Sequence, residues 1–315
     1  MSGKRTGMAL DDQRTRWRVV GHSVRGATHA RSGKPNQDAI HWTPPSRSGL
    51  PLIITLADGH GSSKSFRSEW GARLAVETAA EVISDFLQGQ SESLSATKRA
   101  AEEWLPAALV RSWLDAVATH LRAHPLSADE LDLLGDASRA ALAGGELANL
   151  PVAYGATVLA AAVTESFILY LQLGDGEILT VSRAGEVTRP LPKDERLFAN
   201  ETTSLCSEDA WRDFRVSFQV VSNAPPALIL LSTDGYPNSF RDEAGFLKVG
   251  SDILGAIRAG GLDAVNSQIE SWLTESTYAG SGDDVTLGLV CSEPAMGHDF
   301  SQREETNAPV EYDEV

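Results

Sequence analysis

Cysteine is almost missing from this 315-residue chain: Cys206 and Cys291 are the only two, and they form no CxxC pair. That argues against a disulfide framework and a zinc knuckle, and leaves both as small core residues. Long apolar runs are missing too. None approaches the roughly 18 residues that span a bilayer, and Met1 to Arg16 holds no apolar stretch of secretory type. A cytoplasmic protein without a membrane partner is the expectation. Positive charge is scarce, with 27 Lys and Arg against 43 Asp and Glu and a net charge of −16. Such a chain repels nucleic acid and anionic membrane surfaces. An anionic substrate would therefore need local positive charge, and bound metal is the obvious source. What is present is ordinary for a soluble globular protein, 42% hydrophobic and 22% charged residues, enough to bury a sizeable core in one large domain or two.

The hydrophobic period changes along the chain. Trp17–Val24, Asp38–Trp42 and Leu52–Ala57 read as strands, the last apolar on both faces. From Ser68 to Gln88 the spacing of Ala72, Val76, Ala79, Ile83 and Phe86 predicts a helix. A second is expected from Thr97 to Ala123, with Pro106 requiring a kink or a helix start nearby. Asp129 to Leu150 reads as a short helix and a loop broken at Gly144-Gly145. Strands return at Ala156–Val163, Phe167–Leu173 and Glu177–Val181, with Gly174-Asp175-Gly176 at hairpin spacing between the last two. Phe214–Val220 and Ala227–Ser232 are further strands. Helices over Ser251–Arg258 and Leu262–Thr274 follow, and Val285–Cys291 is the closing strand. Close strand spacing favours antiparallel connections, so the expected class is α+β, with helices layered on antiparallel sheets. Residues 1–15 are expected to be a flexible tail and 293–315 an acidic disordered one, leaving one domain over 16–292.

Carboxylates recur at the edges of these strands. Asp38 ends Gly33-Lys34-Pro35-Asn36-Gln37-Asp38, Asp58 lies in Ala57-Asp58-Gly59-His60-Gly61, Asp234 follows Leu230-Leu231-Ser232-Thr233, and Asp283 opens Asp283-Asp284-Val285-Thr286. A single Asp-Gly is usually a turn, since Asp starts turns and Gly supplies positive φ. Gathered at strand ends, however, like charges demand a cation, and hard divalent cations prefer oxygen ligands. Asp284 beside Asp283 reads as a cap or a support rather than a ligand. His22, His41, His120 and His124 have no partner pattern and read as structural or solvated.

Together these motifs resemble the type 2C metal-dependent serine/threonine protein phosphatases, in order from about Trp17 to Ser292. Asp58-Gly59-His60-Gly61 resembles the family's Asp-Gly-His-Gly signature, and Gly155-Ala156-Thr157 its Gly-Thr/Ala-Thr strand opening. Leu173-Gly174-Asp175-Gly176, Ser232-Thr233-Asp234-Gly235 and Asp283-Asp284-Val285-Thr286 resemble three further elements. The resemblance implies a four-layer α-β-β-α sandwich with two central antiparallel β-sheets. It implies two Mn²⁺ or Mg²⁺ ions, hydrolysis of phosphoserine and phosphothreonine by a metal-bridging water, a phosphoprotein substrate and a cognate serine/threonine kinase. Nothing in the sequence points to an oligomeric state. Carried over by motif, Asp58 would bridge both ions, the Gly59 carbonyl would ligate one, and Asp234 and Asp283 would hold the other. His60 would be the general acid toward the leaving oxygen. Two cations roughly 3.5–4 Å apart make independent chemical sense of so many carboxylates.

The sequence departs from the family pattern in three places. Gln37-Asp38 stands where Glu-Asp is common, which weakens one metal and makes Asp38 its contributor, directly or through water. Asn238 replaces an aspartate, so Asp175 would form only a weakened third metal site. Gly33 falls at the usual phosphate-contacting arginine, leaving Arg31, Lys34 and His29 as candidates. Two alternatives stay open: a regulator without catalysis on the same fold, which Gln37 and Asn238 favour, and a two-metal hydrolase of another phosphoester. The lack of a basic stripe counts against nucleic acid for the latter.

Overall fold

The computed structural model describes residues 16–89, 93–134, 139, 150–194, 196, 202–221 and 225–293. The two expected tails therefore lie outside the described residues, apart from Glu293. The described strands are Trp17–Val24 (β1), Ala39–Thr43 (β2), Leu52–Ala57 (β3), Val158–Val163 (β4), Phe167–Leu173 (β5), Glu177–Val181 (β6), Val187–Thr188 (β7), Arg215–Val220 (β8), Leu228–Ser232 (β9) and Val285–Ser292 (β10). They form two five-stranded sheets, ordered β1-β10-β9-β6-β7 and β2-β3-β4-β5-β8. Every pairing is antiparallel. Helices Ser68–Gln88 (α2), Leu94–Glu103 (α3) and Leu105–Ala123 (α4) cover the second sheet, while Glu243–Gly260 (α6) and Leu262–Ala279 (α7) cover the first. Ala27–Ser32 (α1) and Ala128–Leu133 (α5) are single short helices. The result is the α+β fold expected from strand spacing, in the four-layer α-β-β-α form that the resemblance implies.

Strand alternation explains why the central strands are apolar throughout. In β3, Leu52, Ile54 and Leu56 enter the core between the sheets, while Ile53 and Ala57 pack under the helices. In β4, Leu159, Ala161 and Val163 face inward and Val158, Ala160 and Ala162 outward. β9 divides likewise, with Ile229 and Leu231 between the sheets and Leu228 and Leu230 under α6 and α7. Each buried face thus removes a full row of apolar side chains from water, worth about 1.5–3 kcal/mol per large side chain.

Three expectations are corrected. The helix predicted over 97–123 is two helices, α3 and α4, which meet at Trp104. Pro106 sits in the first turn of α4, where its missing N–H removes no intrahelical bond. The helix predicted over 251–258 starts at Glu243, because the Asp242 side chain accepts the Gly245 N–H as an N-cap. Gly174-Asp175-Gly176 is not a hairpin. β5 and β6 belong to different sheets, so these three residues carry the chain across one end of the sandwich, with Gly174 at φ 103°.

Two contacts fix α2 against the segment leading to Gly155. Gly71 of α2 lies against Tyr154, and a Cβ there would meet the Tyr154 carbonyl oxygen well inside contact distance. Gly71→Ala is expected to lower stability by about 3 kcal/mol, reversing the small gain that alanine normally brings to a helix. Urea denaturation checks it, and a variant as stable as the parent would contradict this packing. The second contact is Arg67, which donates from Nε and one terminal nitrogen to the Glu130 carboxylate at 2.6 and 2.8 Å and from the other to the Tyr154 hydroxyl at 2.8 Å. The Arg67 guanidinium holds the Glu130 carboxyl down at about 2. A carboxyl lowered on folding contributes stability that is complete above its unfolded value and is lost as pH falls through its folded one. Glu130 is a quarter exposed, so Glu130→Gln is expected to cost about 1–2 kcal/mol at pH 7. The gap between variant and parent should close as pH falls from the ordinary carboxylate range toward 2. Melting curves taken across that range check it, and a constant gap would refute it.

Candidate metal centre

Strand register gathers the acidic motifs at one end of the sandwich. Ala39 pairs with Ala57, Leu56 with Leu159, and Val158 with Leu173. Asp38 before β2, Asp58 after β3 and Asp175 after β5 therefore share an edge. In the other sheet Ser232 pairs with both Leu287 and Glu177, which brings Asp234 and Asp283 to the same end. Asp58, Gly59, His60, Asp175, Asp234 and Asp283 all line one open cavity of about 1300 Å³.

The Asp58–His60 segment is held by its neighbour across the sheet. The Asp58 N–H donates to Thr157 Oγ1 at 3.0 Å and the Asp58 carbonyl accepts the Thr157 N–H at 2.8 Å. The His60 N–H donates to the Gly155 carbonyl at 3.0 Å, and the Gly59 N–H to the Gln37 carbonyl at 3.1 Å. Both glycines are required by close approach. A Cβ on Gly155 would stand 2.5 Å from His60 Cδ2, and one on Gly59 would stand 2.6 and 2.7 Å from the carbonyl oxygens of Ser68 and Gln37.

The carboxylates lie close enough to oppose one another's ionisation. Burial and the charges of Asp38 and Asp234 push the half-buried Asp58 carboxyl well above its ordinary range, and Asp58 and Asp234 are within hydrogen-bonding reach of each other. Burial and Asp175 raise Asp234 in turn. Asp38 is buried and raised by burial and by Asp284, against two hydroxyl bonds that favour its charge. Both bonds, from Thr233 Oγ1 and Thr286 Oγ1 at 2.7 Å, fall on Oδ2, which leaves Oδ1 for another partner. Asn238 Nδ2 donates to Asp234 Oδ2 at 3.1 Å. Burial pulls the His60 imidazole below its ordinary range, and the nearby Asp175 draws it back in part.

This arrangement fits hard divalent cations. The donors are carboxylate oxygens and the Gly59 backbone, and the cluster's mutual repulsion is what a cation would relieve. Gln37 adds a second sign. Its side chain is buried and donates from Nε2 to Ser68 Oγ, while among the described residues its Oε1 has no donor. A tighter group, His29, Asp283 and Asp284, brings three ligating atoms within 4.8 Å of one another. Asp284 is already committed, accepting the N–H groups of Gly26 and Gln37 and His29 Nδ1 at 2.5, 2.6 and 2.8 Å. It ties the α1 loop to the start of β10, in keeping with its reading as a support.

Of the three groups named for phosphate, the structure brings His29 alone to the cavity wall. Arg31 is exposed and donates to Thr28 Oγ1 at 3.1 Å; Lys34 is exposed and donates to the Gly61 carbonyl at 3.1 Å. Three cations unforeseen in the sequence line the cavity instead, namely Arg189, Lys193 and Arg215. No motif flags them. The one available signal was Arg215 at the head of a strictly alternating strand whose other end is exposed.

The sequence matches the model of a family described as Protein phosphatase 2C over residues 25–274. Among solved structures, the serine/threonine phosphatase Stp1 from Staphylococcus aureus is 14% identical, with 92% of this chain and 99% of that one covered and a TM-score of 0.55. PppA of Pseudomonas aeruginosa, described as a key regulatory component of T6SS, is 18% identical over 88% of this chain and 97% of its own at a TM-score of 0.54. The catalytic domain of the serine/threonine protein phosphatase PstP, solved with two manganese ions, is 19% identical over 88% and 99% at 0.50. At such identities the likeness is one of fold. No curated protein matches the chain.

Proposed function

The chain belongs to the protein phosphatase 2C family, metal-dependent enzymes that act on phosphoproteins, and from that premise we propose that it hydrolyses phosphoserine and phosphothreonine at the carboxylate-lined cavity. One observation carries the reading: Asp58 and His60, two residues apart, line the same cavity as Asp234 and Asp283. Among the described residues no helix is long and apolar enough to cross a membrane.

Asp58, with Asp234 and Asp283 on one side and the Gly59 carbonyl and Asp38 on the other, would hold two divalent cations, and the Mn²⁺ pair bound by PstP supports that number. Cations bound there would supply neutralisation of the phosphate dianion and acidification of the attacking water. The protein's own residues supply position and a proton. Thr157 fixes the Asp58 backbone from both sides, and Thr233 and Thr286 fix Asp38 by the same oxygen. The His60 backbone N–H is anchored on the Gly155 carbonyl, and the ring packs against Gly155, where no side chain would fit. From that place it donates a proton to the seryl or threonyl oxygen as the P–O bond breaks. Phosphoryl transfer to water asks mainly for such positioning and charge stabilisation.

The test is turnover of a phosphothreonine peptide with Mn²⁺, before and after chelation. Mn²⁺-dependent release of phosphate that the chelator abolishes is the expected result. Absence of turnover with the cation present would reject catalysis and favour a regulator on this fold.

A further inference from the structure

The cavity that holds the carboxylate cluster also holds a second charged zone. Glu177, Arg189, Lys193, Asp194, Arg215 and Glu243 line it, and nearly all of them are matched. Arg189 grips both oxygens of Glu177 at 2.7 and 3.1 Å and reaches Glu243 at 2.7 Å. Lys193 stands 3.2 Å from Glu243, and Asp194 is held by Arg196 at 2.7 Å. Arg215 is the exception. Its two terminal nitrogens donate to the carbonyls of Pro192 at 2.6 Å and Gly174 at 3.2 Å, both neutral. Among the described residues it has no carboxylate in an ion pair.

A guanidinium presents five N–H donors in a fork that matches carboxylate and phosphate groups. Arg215 uses two terminal nitrogens on carbonyls and is half-buried, so the charge is partly stripped of water with no carboxylate in direct contact among the described residues. Asp194 and Glu177 lie near enough to attract it, but their oxygens are already occupied by Arg196 and Arg189. A cavity of about 1300 Å³ also exceeds the roughly 300–1,000 Å³ of small-ligand sites, and leaves room for residues flanking a phosphorylated one. We propose that Arg215 is a specificity residue that binds an anionic side chain, a carboxylate or a second phosphate, close to the phosphorylated residue of the substrate. This rests on the phosphoprotein phosphatase reading. Arg215 touches the carbonyl preceding Asp175, so the anion it binds sits beside the catalytic cluster and not on a remote surface.

The experiment compares phosphothreonine peptides that carry glutamate, phosphoserine or glutamine at each flanking position in turn. Wild-type protein is expected to show kcat/KM about tenfold higher for an anionic arm than for glutamine at one position or more, the scale of one charge-assisted bond. In Arg215→Gln that ratio is expected to fall below about twofold, and in Arg215→Lys to stay above about threefold, since the charge is kept but the fork is lost. Taking the ratio within each protein cancels any general loss of activity. A preference in either anionic arm that depends on Arg215 supports the proposal. Wild-type ratios near one at every position, or a ratio that persists in Arg215→Gln, would overturn it while leaving the phosphatase reading intact. No turnover of any peptide by wild type would overturn both.

Discussion

Asp58→Asn is expected to remove catalysis, by on the order of 10³-fold in kcat/KM, and at the same time to raise the melting temperature of the cation-free protein. The two effects have one cause. Asp58 is half-buried and pressed by the charges of Asp38, Asp234 and Asp283, so without a cation its ionised form is repelled on several sides. Asparagine keeps the shape, loses the charge, and offers an amide donor to Asp234. Relief of about 1–2 kcal/mol corresponds to a rise of roughly 2–6 °C in a domain this size. Chelated wild type and variant would be melted side by side, then again with Mn²⁺. The cation should stabilise wild type more than the variant, because ligand binding to the folded state shifts its stability by mass action. A variant that melts below chelated wild type would refute the repulsion argument. Turnover within tenfold of wild type would remove Asp58 from the chemistry.

His60→Ala should separate substrates by their leaving groups. Threonine leaves as a strongly basic alkoxide unless it is protonated, whereas p-nitrophenol leaves as a weakly basic phenolate. Loss of the proton donor is therefore expected to cost about 10²- to 10⁴-fold on a phosphothreonine peptide and less than about tenfold on p-nitrophenyl phosphate. Single-turnover rates on both substrates give the comparison. Equal losses would mean that His60 shapes the cavity or supports the cations and does not donate the proton. The fold should survive, because His60 is partly exposed at the cavity wall and its backbone bond to Gly155 does not need the side chain.

Much of the fold was legible because the central strands of each sheet are buried on both faces. β3, β5 and β9 are almost entirely apolar, each with a single polar residue, and their bounds fall within a residue or two of where the sequence suggests. The strand ends that carry Asp58, Asp234 and Asp283 were legible for the same reason: an acidic residue within two positions of such a run marks the end of its strand. The crossing at Gly174–Gly176 was not. A gap of three residues suits a tight hairpin and a step between stacked sheets equally well, and only the pairing partners of β5 and β6 distinguish them. The split at Trp104 was half legible, since Pro106 marks a helix start as readily as a kink.

What surrounds the carboxylates depends on distant contacts that no local pattern encodes. Asp38 is held by Thr233 and Thr286, which lie 195 and 248 residues away. Arg31 and Lys34 are close to Asp38 in sequence, yet they point to Thr28 and Gly61 and stay off the cavity wall. Arg215 is far in sequence and lines the cavity beside Asp175. Nearness along the chain pointed to cations that do not line the cavity.

The central claim is that the cluster around Asp58 is a divalent cation site. Calorimetric titration of Mn²⁺ into the chelator-stripped protein tests it most directly, with Asp58→Asn as the control. The account predicts saturable binding of two ions per chain to wild type, and loss of at least one of them in the variant. Absence of binding, or the same isotherm for both proteins, would contradict it.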